Sequence, residues 1–430
     1  ISNPSDENKN DPVKKSYIKS LKMFLYPIGV WPGKILGEKM PFITNVPKLL
    51  SHILCPFYIF GEIYFLILNH KHVGLPIILD VFICTALTFL TMVNHFIRMF
   101  LPLLKQYHKL FAKYIQEVHL YHFKHKSEIY NQMYNNVEIV SKYYTKFMTA
   151  MFWVGFILFN LAPTYNNIKN GVYSNTNSRN VSKEFAFYFQ YPGYDQQERF
   201  YLTTATNVYS CYICGVALVA FDLMMALMIF QIIGHIKVLE YEINEIKTLG
   251  GDNDGKENET KNDNHITTVG VSCKLFNGEI NAIINDKLKR CVDHHRFIVL
   301  FAEEMSSFFG PMLAINYLLD LFACCILLFQ CSLAVSIKGL TIVIYGQLVL
   351  RSLVFEFIGL VSENLSSVMY SVPWELMDIP NRRLVIVMLQ RLQDPIQVSA
   401  FGAVKVGIPT MVSILKTTFS YFMFLKSKHH

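Results

Sequence analysis

Seven runs of mostly apolar residues, at 49–69, 75–101, 147–162, 202–236, 309–333, 337–361 and 398–425, dominate this chain of 430 residues. A helix needs about 20 such residues to cross the hydrocarbon core of a bilayer, and backbone in lipid must satisfy its own hydrogen bonds. The runs therefore predict an all-α membrane protein with seven transmembrane helices. Composition agrees, with 52% hydrophobic and 17% charged residues and a mean hydropathy of +0.29, a balance that excludes an ordinary cytosolic enzyme. Cys55, Cys84, Cys211, Cys214, Cys324, Cys325 and Cys331 fall inside the apolar runs and read as small hydrophobes, so no disulfide or zinc framework is implied.

The net charge of +7 resides in particular connections rather than on one basic domain, so topology explains it and no nucleic-acid partner is expected. Lys and Arg crowd the amino-terminal arm and the connections between runs two and three, four and five, and six and seven. The other connections hold few cations, and cationic loops resist translocation. The expectation is a cytosolic amino terminus, in keeping with the polar opening that lacks a signal-peptide apolar stretch, and an extracellular carboxyl terminus. This inverts the orientation of a G-protein-coupled receptor, and no D-R-Y or N-P-x-x-Y stands at the corresponding positions.

Helical spacing at 103–133 and 282–305 predicts extensions of the membrane helices into a cytosolic anchor layer, while the polar stretch 250–264 predicts disorder. Asn180 begins a glycosylation sequon on the expected outside; the sequons at Asn258 and Asn364 lie inside and should stay bare. The chain divides into a cytosolic segment 1–47, six helices with their extensions at 48–361, and a split seventh helix at 362–430. Pro395 separates a charged cytosolic part from an apolar part. No internal repeat is found, which counts against a transporter of inverted halves.

Two sets of motifs are specific. Gly29-Val30-Trp31-Pro32 matches a G-L-W-P element. Towards the end stand Tyr370, Pro373-Trp374, Arg382-Arg383, Leu389, Arg391, Gln393-Asp394-Pro395, Gly402, Ile414-Leu415-Lys416 and Ser420-Tyr421-Phe422, in order. On these residues the chain resembles an insect odorant receptor. The resemblance implies a multi-pass protein of the plasma membrane of olfactory sensory neurons, a subunit of an odorant-gated, non-selective cation channel. It further implies a heterotetramer with the shared co-receptor, in which seventh helices surround one pore for permeant cations and cytosolic helices form most of the contact. The connection between the fourth and fifth runs is shorter than the co-receptor's, which points to a ligand-tuned subunit. A gustatory-type channel of the same superfamily and a receptor coupled to G proteins are the alternatives.

Carried onto this sequence, the resemblance places the pore and gate at Ser420, Phe424, Leu425, Ser427 and Lys428, with Phe424 larger than the family's usual aliphatic residue. Trp374, Arg382, Arg383, Arg391 and Gln393 fall on the subunit anchor. Geometry and resemblance together place the ligand among Phe82, Thr85, Trp153, Phe156, Phe159, Tyr209, Tyr212, Ile344 and Tyr345. An aromatic cavity with few hydroxyls suits a small apolar volatile. Lys416 is expected to face protein, lipid headgroup or vestibule, and Asp80, Asp222, Asp320, Arg351 and Glu356 to pair within the bundle. His294-His295 and the lone Cys211-x-x-Cys214 lack the partners of a metal or catalytic motif, so no enzyme activity and no cofactor are expected.

Overall fold

The computed structural model describes residues 11–38, 45–99, 101–173, 183–251, 275–333, 338–400 and 404–429. Helix α1 (Ser16–Leu25) buries Tyr17, Ile18, Leu21, Phe24 and Leu25, one face of a single amphipathic turn pattern. Gly29 then adopts φ +66°, a left-handed geometry free of steric penalty only for glycine. The turn seats Trp31 edge-on against Phe111, ring centroids 5.4 Å apart. Its indole donates to Glu38 at 2.7 Å, and Lys22 pairs with the same carboxylate at 2.8 Å. This packing is the physical content of the Gly-Val-Trp-Pro element.

Helices α2 (Asn45–Asn69), α3 (Leu75–Met99) and α4 (Leu101–Lys113) follow. A π-helical turn, Tyr114–Val118, leads to His119, whose extended backbone (φ −63°, ψ 124°) ends the helix. A 3₁₀ turn, Leu120–His122, precedes α5 (Glu128–Lys169), which Ser127 caps by accepting from the Tyr130 amide. The helix expected across 103–133 is thus broken. Its apolar spacing runs through the break, whereas the break itself is held by side chains from elsewhere. The Leu120 amide donates to Gln231 at 2.9 Å, and the Tyr121 amide donates to His119 Nδ1 at 3.1 Å.

That amide fixes the His119 tautomer: Nδ1 accepts, so Nε2 carries the proton and donates to the Tyr17 hydroxyl at 2.7 Å. Burial, with the nearby His122 and Lys15, pushes His119 down from 6.5 to about 3. A histidine depressed in the folded state contributes stability that is complete above pH 6.5 and is lost as pH falls towards 3. Between pH 7 and pH 5 the segment should lose about 2 kcal/mol, seen as a smaller amide protection factor around Leu120, after correction for the intrinsic exchange rate at each pH. His119→Gln should flatten that slope; an equal slope in the variant would assign it to another group.

Four long helices form the body: α5, α6 (Phe200–Gly251), α7 (Gly278–Leu333) and α8 (Lys338–Tyr370). In α5 the buried residues Tyr130, Tyr134, Val137, Ser141, Thr145, Met148, Phe152 and Gly155 recur every three or four positions, the stripe of a helix with one packed side. In α6 every residue from 219 to 236 is buried, which a helix apolar on all sides achieves only when surrounded. The fourth and fifth runs are thus parts of much longer rods, the fourth at the start of α6 and the fifth at the end of α7, and 282–305 forms one continuous helix with the fifth run as expected. Of the polar stretch 250–264, Gly250 and Gly251 end α6 and the rest lies outside the described residues.

After α8 come a 3₁₀ turn, Trp374–Leu376, helix α9 (Ile379–Leu392), strands β1 (Ser399–Ala400) and β2 (Val404–Lys405), and α10 (Ile408–His429). Asp378 caps α9 through the Asn381 amide. The seventh run therefore becomes helical only at Ile408. Its first residues form the short antiparallel pair instead, with the Val406 amide donating to Val398. Among the described residues six helices are long and apolar enough to cross a membrane, and α10, 22 residues long, follows them.

Candidate ligand site and pore helix

Gly155 on α5 and Gly215 on α6 let their helices approach closely, for a Cβ on Gly215 would stand 2.9 Å from the Phe152 ring. Beside them α3, α5, α6 and α8, with Phe187, line an apolar cavity of about 90 Å³ that is open on one side. Cys84, Phe156, Phe159, Leu218, Val343 and Ile344 are among its walls. This is below the roughly 300–1,000 Å³ of drug-sized sites, a volume for a small ligand held by dispersion and desolvation. Among the described residues Gln347 is the one amide on the wall.

A broader outer cavity of about 820 Å³, with Asp80, Lys183, Glu184 and Asp195 on its rim, adjoins it through Cys84 and Phe159, which line both. The segment 183–197 caps this end. The Gln190 amide donates to Gly61 at 3.1 Å, Asn69 donates to Gln190 at 2.6 Å, and Asn207 donates to the Phe187 carbonyl at 3.1 Å. A Cβ on Gly61 would fall 2.6 Å from the Tyr191 ring, so only glycine admits the cap this closely. Sequence reading treated this connection only as an outer loop. Its alternation of aromatic residues was the available signal.

Of the nine residues expected at the ligand, Phe156, Phe159 and Ile344 line the inner cavity. Tyr212 packs edge-on to Phe152 and Phe156, at 5.9 and 6.2 Å. Tyr209 faces a separate void beside Tyr58 and Ser210. Thr85 donates to the Val81 carbonyl on its own helix at 2.8 Å, and Tyr345 donates to the Cys324 carbonyl at 3.0 Å. Phe82 and Trp153 are not on the cavity wall: they are 53% and 46% exposed on the single chain. Trp153 directly follows the wall residue Phe152 and Phe82 stands two residues before Cys84, and each step of one residue rotates a helix by about 100°.

Three of the charged residues in the runs pair with one another. Arg351 on α8 donates through Nε to Asp222 on α6 at 2.7 Å and through Nη1 to Asp320 on α7 at 2.7 Å. Arg351 and Asp222 are 95% or more buried. Glu356 accepts from the Ile408 amide at 3.0 Å, at the positive end of α10. Asp80 lies on the outer cavity. His294 stands 3.1 Å from His235 and 3.3 Å from Glu242. Among the described residues no three metal-ligating side chains converge.

The model of the 7tm odorant receptor family matches residues 80–419. The chain belongs to the insect odorant receptor family. Among curated relatives it is 28% identical over 166 residues to Odorant receptor 22c of Drosophila melanogaster, 37% of this chain and 40% of that one. It is 26% identical over 164 residues to Odorant receptor 13a of the same species, 33% of this chain and 38% of that one. The matches thus span about two fifths of those relatives. Over nearly the whole length, the fold is similar to the olfactory receptor OR5 of Machilis hrabei. The TM-score is 0.69 at 16% identity, over 95% of this chain and 97% of that chain. A structure of the same receptor in complex with eugenol gives 0.66 at 15% identity, over 96% and 97%.

In this odorant receptor α10 leaves Phe419, Tyr421, Met423 and Phe424 more than half exposed on the single chain, and Lys416 is exposed on the same helix. Ser420 and Ser427 donate to the Lys416 and Phe424 carbonyls of their own helix, at 3.0 and 2.8 Å. The side chains of Leu425 and Lys428, like Asn180, lie outside the described residues. Arg382 fastens the Trp374 turn to α9, donating to Met377 and Glu375, both at 2.8 Å. Arg383, Arg391 and Gln393 are exposed, and Trp374 is partly so. Beneath them the fully buried Asn381 donates to the Asn281 carbonyl at 2.9 Å and accepts from Asn285 at 2.7 Å. This asparagine cluster pins α9 to the start of α7, a role that polar residues in a charged helix did not announce.

Proposed function

We infer that this receptor is a ligand-tuned subunit of an odorant-gated, non-selective cation channel. A small apolar volatile enters the cavity between α3, α5, α6 and α8, and binding opens a central pore in a tetramer with the co-receptor. In this reading the amino terminus is cytosolic and the carboxyl terminus extracellular, and the receptor resides in the plasma membrane of olfactory sensory neurons. The division at residues 47 and 361 separates the arm, the ligand-binding bundle and the pore-bearing end. The observation that carries the reading is the apolar cavity, whose walls of phenylalanine, leucine, valine and isoleucine reward a volatile by desolvation. The eugenol complex of the Machilis receptor supports a small organic ligand. The exposed apolar face of α10 supports a helix that meets other subunits around Phe424.

Patch recordings from cells expressing the chain with the co-receptor test the reading. Volatile-evoked current should persist in excised patches without nucleotide, and a carboxyl-terminal tag should stain without permeabilisation. A response that disappears on removal of GTP would instead support coupling to G proteins.

A further inference from the structure

Gln347 on α8 lines the inner cavity, and its side-chain amide makes no hydrogen bond with the described residues. Two close approaches fix its depth. A Cβ on Gly155 would stand 3.3 Å from Val343 and one on Gly346 would stand 3.1 Å from Met151, so α5 and α8 run antiparallel along the cavity and Gln347 lies beside Met151. Met151 is about 12 Å along α5 from Phe159, the residue through which the inner cavity meets the outer one. The amide thus stands at the end of the cavity farthest from Phe159. Its neighbours on the wall at this end, Leu87, Phe152, Leu218 and Val219, are apolar. Towards the other end the Cys84 thiol donates to the Ala186 carbonyl at 3.8 Å, and Cys211 accepts from Asn160 at 3.3 Å. A carboxamide carries two N–H donors and one carbonyl acceptor, and enclosing them unmet is costly. A hydrocarbon entering the cavity strips water from this amide and returns nothing for it.

We propose that Gln347 is the polar anchor of the odorant site, and that it selects small volatiles with a single oxygen head, ketones and alcohols, over hydrocarbons of the same shape. The head lies deep against the amide and the apolar body extends towards Phe156 and Phe159. A ketone accepts from the Nε2 N–H. An alcohol accepts from the same group or donates to Oε1, because the amide turns end for end about its last torsion. The anchor therefore reads the presence of the oxygen and not its oxidation level. The inference rests on the ligand-site reading above and adds the class of ligand.

Cyclopentanone, cyclopentanol and methylenecyclopentane, alike in shape, supply the test, read as current from the receptor with its co-receptor. Gln347→Met keeps the length of the side chain and removes both polar groups. It should raise the half-maximal concentration of the ketone and of the alcohol by about tenfold each, and leave methylenecyclopentane unchanged or more potent. Comparing each compound with itself on the two receptors cancels its partitioning between water and membrane, and a silent hydrocarbon is read by its competition with cyclopentanone. In wild-type receptor purified with its co-receptor, the infrared carbonyl stretch of bound cyclopentanone should fall below its frequency in hexane, the mark of an accepted hydrogen bond, and in Gln347→Met it should return towards the hexane value. The wild-type band stands whether or not the variant reaches the membrane. An unchanged ketone potency in Gln347→Met, an equal loss for ketone and hydrocarbon, a bound carbonyl at its hexane frequency, or no bound carbonyl would each overturn the proposal. Current that weakens equally for all three compounds leaves the channel reading intact and removes the anchor, whereas a lowered carbonyl band without current leaves the anchor and removes the channel.

Discussion

Replacing Arg351 with methionine is expected to destabilise the receptor by about 3–5 kcal/mol, because it strands Asp222 and Asp320 in the packed interior without the cation that holds both. The comparison with the triple variant Arg351→Met, Asp222→Asn, Asp320→Asn separates two ideas about this cluster. If the loss comes from uncompensated buried charge, the triple variant should recover most of the unfolding temperature of the detergent-solubilised protein. If the three residues are needed as a clamp joining α6, α7 and α8, the triple variant should stay as poor as the single one. A single variant that melts with the wild type would show that the two aspartates find other partners and would remove the cluster from any account of stability.

Gly215→Leu is expected to abolish or shift volatile responses by at least a hundredfold, since its side chain must occupy the inner cavity or displace Phe152, already 2.9 Å from where a Cβ would stand. The gentler Phe156→Ala removes one aromatic wall, worth about 0.5–3 kcal/mol, or a few-fold to a hundredfold in affinity. Both should leave ion preference alone. Phe424→Ala should do the reverse, raising unliganded current by weakening an apolar constriction while preserving the ranking of odorants. Dose–response curves and reversal potentials for the three variants decide the matter, and an exchange of these effects between cavity and helix α10 would overturn the assignment of both.

The apolar runs were legible because a bilayer demands length and apolarity from every helix that crosses it, and these are properties of composition alone. Rotation about the helix axis was not legible. In α6 apolar residues occupy all sides, so nothing in the sequence says which side meets which neighbour. On α5, too, Phe156 and Phe159 stand on the cavity while Trp153, one turn away on the same helix, does not. The pairing of Arg351 could be anticipated in kind, since a lone cation in a packed bundle needs an anion, but its two partners are set by the mutual rotation of three helices. The break at His119 depends on Gln231 and Tyr17, more than a hundred residues away on either side.

The burial of α6 bears on how the chain is made. Its apolar window is the most hydrophobic of the six and 83% of it is covered by protein, against 17% for α5. A helix so enclosed needs no affinity for lipid once its neighbours are in place, and Asp222 sits comfortably in its middle. During synthesis those neighbours have yet to pack around it, and a central aspartate then opposes insertion by about 2.5–3.5 kcal/mol. The leucines, methionines and phenylalanines flanking Asp222 offset that opposition at the translocon. Polar substitutions along α6 will therefore be rejected during biogenesis even where the finished receptor has room and partners for them.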